Sequence, residues 1–427
     1  MKKWKLLPLT FLAFNLHLHA QNIDQTVNKA SVQKVLSALA SDDMRGRKTF
    51  TPDIDRAANY IASEFKKAEL SYPKNQNSFL QQFSVYKTSV NTINGTIDNT
   101  TVNADNIVVV STQEKLDITQ NSGYTIDRIE SPQVLFSKAM AAIHGNQNKI
   151  ILVDTSCSKY FKRLTHFTQA AFKSPYSTIF ILETQVPSTF DVHIQQNLEA
   201  QKLQNVVGII PGKSKPDEYV IFSGHYDHLG VDPSKNPDSI YNGANDDASG
   251  TTAVIELAQY YKKRNDNART LIFAAFTAEE IGGYGSQYFS KQFEPNKVVA
   301  MFNIEMIGTE SKWGKNAAYI TGFEKTNMGE ILQTNLNDSK FQFYPDPYTK
   351  EQLFYRSDNA TLARQGVPAH TISTSKMDNE PNYHQLSDEI VTLDLDNMTE
   401  IIKSIALSAQ SIVSGKDTPT RVNPDAL

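Results

Sequence analysis

From about residue 206 onward the chain alternates short apolar runs of strand length with longer segments of helical period, and no other feature restricts its fold so strongly. The strand-like runs are 205–210, 219–223, 270–276, 299–306, 317–321 and 368–372. Helical segments are expected near 249–262, 284–292, 324–336, 358–365 and 395–413. The last places Met398, Ile401, Ile402, Ile405, Ala409 and Ile412 on one face, with Gly415 just past its end. Such alternation predicts an α/β fold: a three-layer sandwich with a mostly parallel central sheet flanked by helices.

Upstream the pattern changes twice. Residues 31–70 read as helical; in the second part Thr51 can cap, Pro52 suits the first helical position, and Ala57, Ala58, Ile61, Ala62 and Phe65 share a face. Residues 71–84 are polar and turn-rich. From 86 to 204 the sequence is β-prone, with Asn94-Gly95 as a hairpin signal and strand-like runs at 106–111, 149–153 and 177–182. This stretch carries none of the chemistry found later and reads as an inserted accessory segment or small domain. Its order of strand, Cys-containing loop, helix and strand resembles a protease-associated domain. The peptidase-like part is then expected over 21–85 and 205–427.

Residues 1–20 have the layout of a secretory signal peptide, expected to direct the protein to the periplasm or the exterior. Lys2, Lys3 and Lys5 precede a mostly apolar run from Leu6 to Leu18, and Ala20 suits the position before cleavage. That run is too short to span a bilayer, and no other stretch reaches about 18 apolar residues. The only cysteine, Cys157, excludes an intrachain disulfide; it follows an apolar run with no nearby His and reads as a structural or surface thiol. A formal net charge of -4, with no long basic run, gives no case for nucleic acid.

Four islands hold residues suited to chemistry, each at or just after an expected strand, where open α/β sheets place their sites. GHYDHLG (224–230) offers His225, with Asp227 two residues on as a carboxylate able to orient it. His228 reads as a loop residue without an assigned role. NGANDDASG (242–250) places Asp246 and Asp247 in a Gly-flanked loop before a helix, where they suit a cap or a bridge between metal ions. FAAFTAEEIGGYGS (273–286) ends an apolar run on Glu279-Glu280, so that one carboxylate can bind metal while its neighbour accepts a proton. Glu305, in FNIEMIG, is an acid inside an apolar strand and needs a partner. His384 lies in NYHQLSDE, after a polar loop. Two His with several carboxylates suit zinc better than magnesium or calcium, which prefer oxygen alone.

The ordered motifs HYD, NDDASG, AEE, NIEM and YH resemble the co-catalytic zinc peptidases of clan MH. That group holds secreted bacterial aminopeptidases of the leucyl aminopeptidase and aminopeptidase S type, within a superfamily that includes glutamate carboxypeptidase II, the transferrin receptor and glutaminyl cyclases. The resemblance covers roughly 31–85 and 205–413. It implies two zinc ions, with His225 and Glu305 on one, Glu280 and His384 on the other, and Asp246 bridging. It implies Asp227 as support for His225, Asp247 as structural, Glu279 as general base toward a zinc-held water, and Tyr383 as a group polarising the scissile carbonyl. Asp388 and the Ser357-Asp358 pair match supporting positions. The implied activity is that of an exopeptidase, an aminopeptidase first, acting on peptides or small proteins.

Two positions depart from the pattern. Glu305 stands where many aminopeptidases have Asp, and Glu there accompanies carboxypeptidase or dipeptidase activity in related enzymes; Asn359 stands where the family often has His. A single-zinc glutaminyl cyclase is the rival acyl-transfer reading, and a non-catalytic binding module of the receptor kind is another. No GxSxG-type elbow supports a serine hydrolase.

Overall fold

The structure, a computed structural model, describes residues 23–235 and 237–426. The expected signal peptide at 1–20 lies outside the described residues. The chain divides into two compact units: Phe83–Lys202, and the chain on either side of it, up to Gln82 and from Leu203.

The larger unit begins with α1 (Lys29–Leu39) and α2 (Pro52–Lys67). Thr51 accepts the amide of Asp53 and Pro52 opens α2, so the terminus forms as its residue types dictate. The expectation of one helical region over 31–70 is corrected in its middle. There a tight turn at Asp42–Arg47 separates the helices, with Arg45 and Gly46 in left-handed conformation.

The remaining elements are β1 (Phe190–Ile210, which belongs to this unit from Leu203 on), β2 (Lys215–His225), α3 (Gly250–Arg264), β3 (Arg269–Phe276), α4 (Tyr284–Ser290), β4 (Val298–Ile304) and β5 (Ala317–Ile320). They continue with α5 (Met328–Asn335), β6 (Gln342–Pro345), α6 (Asn359–Ala363), β7 (Ala369–Ser373) and α7 (Leu395–Ser408). The sheet order in this unit is β6-β5-β7-β4-β2-β3-β1. Strands β7, β4, β2 and β3 run parallel; β1 is antiparallel to β3, and the parallel pair β5-β6 is antiparallel to β7.

Every residue of β3 and β4 is buried. Their side chains alternate between two cores: Leu271, Phe273, Ala275 and Phe302 face one, Ile272, Ala274, Phe276 and Met301 the other. Helices α1, α2, α3, α5 and α7 close the first face, and α4 and α6 the second. Burial on both faces is why these strands read as continuous apolar runs. In the first core Phe222 of β2 stacks on Phe302 and Phe273, ring centroids 4.9 and 5.6 Å away. Truncating such a ring to Ala costs about 3–5 kcal/mol.

In the smaller unit Ile107–Val110, Thr178–Leu182, Lys149–Val153 and Thr125–Ile129 form a four-stranded sheet in that order. Its helix Leu135–Ile143 packs with Phe161, Phe180 and Cys157, so the lone thiol is buried core. The hairpin signal at Asn94-Gly95 misplaces the turn. Those residues lie inside the strand Leu80–Ile97, and the chain reverses at Asp98-Asn99, both with positive φ, before Thr100–Thr101. Both central residues of a two-residue turn can take positive φ when they are Asp and Asn. The apolar-run criterion misses the upstream half of β1, whose signal is the alternation of Phe190, Val192 and Ile194, the strands Lys115–Thr119 and Thr125–Ile129, and β6, which is only four residues long. Among the described residues no helix is long and apolar enough to cross a membrane.

Candidate metal centre

The parallel strands end together, and that edge carries the site. In register His225 at the end of β2 pairs with Phe276 of β3, and Ser223 with Asn303 of β4. The residues that follow, His225, Glu279-Glu280 and Glu305, therefore emerge side by side. They line one pocket with Asp246, Tyr383 and His384.

His225 is 1% exposed and fixed on all sides. Its amide donates to Asp247 (3.1 Å), its carbonyl accepts from Thr251 (2.6 Å), and its Nδ1 lies 3.1 Å from the Asp227 carbonyl. Its Nε2 faces Asp246 Oδ1 and Glu305 Oε1, each at 3.2 Å. Burial opposes a charge on His225, but Glu305, Asp227 and Asp246 outweigh it and hold the imidazole pKa well above its ordinary value.

The neighbouring acids Asp246 and Asp247 have separate surroundings. Asp247 turns inward, accepting the amides of His225, Gly250 (2.9 Å) and Met306 (3.1 Å) and so fastening β2, α3 and the end of β4 together. A side chain at Gly250 would sit 2.5 Å from that carboxylate, which explains the glycine. Asp246 turns outward, with Oδ1 on His225 and Oδ2 3.2 Å from His384 Nε2. Burial alone would raise its pKa; the bonds from His225 and His384 reverse that and hold it below the carboxylate range. Asp388 accepts the amides of Asn245 (2.8 Å) and Asp246 (3.0 Å) and fixes this turn from behind. Burial pushes Asp388 up to about 6.

Asp227 also does more than face an imidazole. Its carboxylate is 3.7 Å from His225 Nδ1 and accepts the amides of Glu279 (3.0 Å) and Glu280 (3.3 Å) and the hydroxyl of Thr49 (3.0 Å). It thus sets the backbone that aims the two glutamates. Glu280 Oε2 meets His384 Nε2 at 3.2 Å, and its pKa is lowered because the bonds of His228 and His384 outweigh burial and Asp246. Burial, with Glu305, Asp358 and Glu280 nearby, holds the Glu279 carboxyl well above the ordinary range, although His225 works the other way. His384 has φ 57°, stacks on Tyr383 with centroids 4.0 Å apart, and is raised to about 10 by its bonds to Asp246 and Glu280.

Glu305 finds its required partners in His225 and in Ser357, whose hydroxyl donates to Oε2 at 2.6 Å. Asn303 donates to Ser357 (2.7 Å) and to Thr371 (3.1 Å), and Thr371 donates to Asn359 (2.9 Å). Asn359 also donates to two backbone carbonyls, so it braces this network and does not reach the pocket.

Two residues with a place at this site are not singled out by sequence reasoning. His228, read as a loop residue, is buried with Nδ1 2.8 Å from Glu280 Oε1. Arg47 is wholly buried behind the site and donates to the carbonyls of Leu39, Tyr226, Asn242 and Gly243. Its charge faces Asp388, Asp246, Asp227 and Asp247, while burial lowers its pKa. The tight DDMRGR turn is the signal that could have pointed to Arg47.

The donors fit zinc. Among the described residues two groups can hold a cation, His225-Asp246-Glu305 and His228-Asp246-Glu280, the ligand atoms of each lying within 4.8 Å of one another. They share Asp246, and imidazole with carboxylate is the ligand set zinc takes. Four carboxylates converge on a pocket lined by a single guanidinium, Arg356, so the site calls for further positive charge.

Residues 205–409 match peptidase family M28. Among curated proteins, a probable zinc metalloprotease from Pyricularia oryzae is 36% identical over 26% of this chain and 22% of its own length. Leucine aminopeptidase 1 from Metarhizium robertsii is 26% identical over 47% of this chain and 52% of its own. The chain thus spans about a fifth to a half of these relatives. Among solved structures, a zinc aminopeptidase from Bacillus subtilis superposes with TM-score 0.55 at 17% identity, covering 91% of this chain and 95% of that one. At that identity the likeness is one of fold, and it agrees with the three-layer sheet described above. The family match covers β2, β3, β4 and the loops that carry His225, Asp246, Glu279, Glu280, Glu305 and His384.

Proposed function

We propose that this chain is an exported zinc aminopeptidase that uses two zinc ions. One observation carries the reading: the His225 and His384 imidazoles face opposite oxygens of Asp246, with Glu305 and Glu280 at 3.2 Å beside them and Glu279 on the same pocket, in the stretch that matches peptidase family M28. His225 and Glu305 would hold one ion, Glu280 and His384 the other, and Asp246, which faces both imidazoles, would serve both. Bound zinc supplies a Lewis acid for the peptide carbonyl and brings the pKa of a water toward about 7. Glu279 takes the proton of the attacking water and returns it to the leaving amine. Tyr383 donates from its phenol to the carbonyl oxygen as negative charge develops there. Met306, Tyr319, Leu353 and Met377 line the pocket and suit an apolar substrate side chain. The basic and apolar layout of 1–20 supports export; sequencing the amino terminus of the exported protein tests it.

Glu279→Gln is expected to lower kcat by about 10²–10⁴-fold with zinc still bound. Near-normal turnover would remove Glu279 from the role. Metal analysis near two zinc per chain supports the co-catalytic site; one per chain, with cyclisation of N-terminal Gln peptides, would replace it by a glutaminyl cyclase.

A second reading, a carboxypeptidase or dipeptidase, draws on Arg356, a cation on the pocket wall able to pair with a terminal carboxylate, and on Glu305. Blocking the substrate amine separates the two: an aminopeptidase loses cleavage, a carboxypeptidase keeps it.

A further inference from the structure

His228 follows His225 by three residues, yet its ring lies on the other side of Asp246. The chain places it there through its backbone, which bridges to Lys48 and takes a hydrogen bond from its own amide to the Arg47 carbonyl at 3.3 Å. Space for the ring is left by Gly243, at φ 56°: a side chain there would lie 2.5 Å from two ring carbons of His228 and closer still to the Asp246 carbonyl. The imidazole is 2% exposed, and its Nε2 is buried with no hydrogen-bond partner. Its one polar contact at hydrogen-bond distance is Nδ1 to Glu280 Oε1, at 2.8 Å; Asp246 Oδ2 is 3.9 Å away.

That contact divides the Glu280 carboxylate. Oε1 belongs to His228, and Oε2 faces His384 at 3.2 Å. The Glu305 carboxylate is divided in the same way, Oε1 toward His225 and Oε2 toward the Ser357 hydroxyl. In both, a donor occupies one oxygen and the other is left toward an imidazole that faces Asp246. A carboxylate left with two free oxygens can rotate or chelate through both; a donor on one oxygen fixes which is presented.

We propose that His228 is a positioning residue that donates from Nδ1 to Glu280 Oε1, so that Glu280 presents only Oε2 to the second zinc. The inference rests on the reading that Glu280 is a zinc ligand. The short N–O distance sets the role: 2.8 Å is a hydrogen bond, and His228 acts on the metal through Glu280.

Two substitutions separate donor from bulk. His228→Asn keeps an N–H near the position of Nδ1, whereas His228→Gln carries it out toward Nε2. The zinc-loaded full chain is titrated with a competing chelator, and zinc per chain is measured at each step. His228→Gln is expected to weaken the more labile zinc by about 10–100-fold, as losing a group that orients a ligand does, and to leave the tighter zinc unchanged. The retained tight zinc reports a folded site. His228→Asn is expected to stay within about threefold of the unsubstituted chain. The proposal falls if His228→Gln leaves both affinities unchanged, or if His228→Asn loses as much as His228→Gln. Glu280→Gln separates the two levels. If that variant loses no zinc, the ligand reading itself fails; if it loses one zinc while His228→Gln loses none, only the positioning role fails.

Discussion

The two imidazoles that face Asp246 are held by different kinds of structure. His225 ends a central strand, 1% exposed, with its amide, carbonyl and Nδ1 all bonded to neighbours. Glu305 beside it follows the next strand, its amide on Ile372 and its carboxylate on Ser357. His384 comes from the long connection between β7 and α7, takes a positive φ, and leaves 35% of its side chain exposed. Its fixed partners are the carboxylates themselves and the stacked Tyr383. One half of the site is therefore an extension of the sheet, preformed by the core. The other is closed by a loop and depends more on the charges it meets. A catalytic pair of metals built this way should hold its ions unequally.

The largest effect tests what the halves share. Asp246→Ala removes the carboxylate that reaches both imidazoles, so zinc content should fall at both positions and activity should drop at least as far as the ~10²–10⁴-fold expected for loss of the base. Retention of two zincs would break the bridge and, with it, the comparison. Next, His384→Ala should strip one zinc and leave the other at its original affinity, while His225→Ala should reduce binding of the tighter ion. Competition with a chelator reads both, and equal loss of both ions from either variant would deny the asymmetry. Ser357→Ala acts inside the firmer half; freeing Glu305 Oε2 should weaken the tighter zinc by about 10–100-fold and spare the labile one.

The smallest effect on activity is expected from Glu256→Gln, on α3 beneath the site. Glu256 is buried against Ser31, and burial lifts its pKa from 4.5 to about 7, helped by Glu64. An acid whose folded pKa exceeds its unfolded one holds its proton more tightly when folded. Its contribution is therefore fully present below about pH 4.5 and lost as pH rises through about 7, a change of roughly 3 kcal/mol at most. Glu256→Gln should flatten that part of the stability–pH curve between about pH 5 and 8 and leave turnover alone. An unchanged curve in thermal or denaturant unfolding would show that the buried carboxyl is solvated.

The legible parts of the fold are those fixed by burial. The strands β2, β3, β4 and β7 are apolar because both faces meet helices, so their positions follow from composition over a few residues. The residues at their ends were findable for the same reason: an acid or imidazole ending a buried run has no solvent to face, and Glu305 and Glu279 stand out. The upstream half of β1 and the hairpin at Asp98-Asn99 were less legible. Their signals are alternation and local turn chemistry, which a search for apolar runs and Asn-Gly pairs passes over.

Taken alone, the sequence determined an α/β sandwich, the four islands and a donor set suited to zinc, because strand burial and ligand chemistry are properties of short segments. Residue chemistry by itself could not separate Asp246 from Asp247, which are adjacent and alike, and only the resemblance to zinc peptidases told them apart. The tertiary structure decided that, turning one toward three backbone amides and the other toward two imidazoles. It also brought in His228 and Arg47, whose places depend on groups distant in sequence. Orientation of a side chain within a site is set by contacts made across the fold, and no single segment contains them.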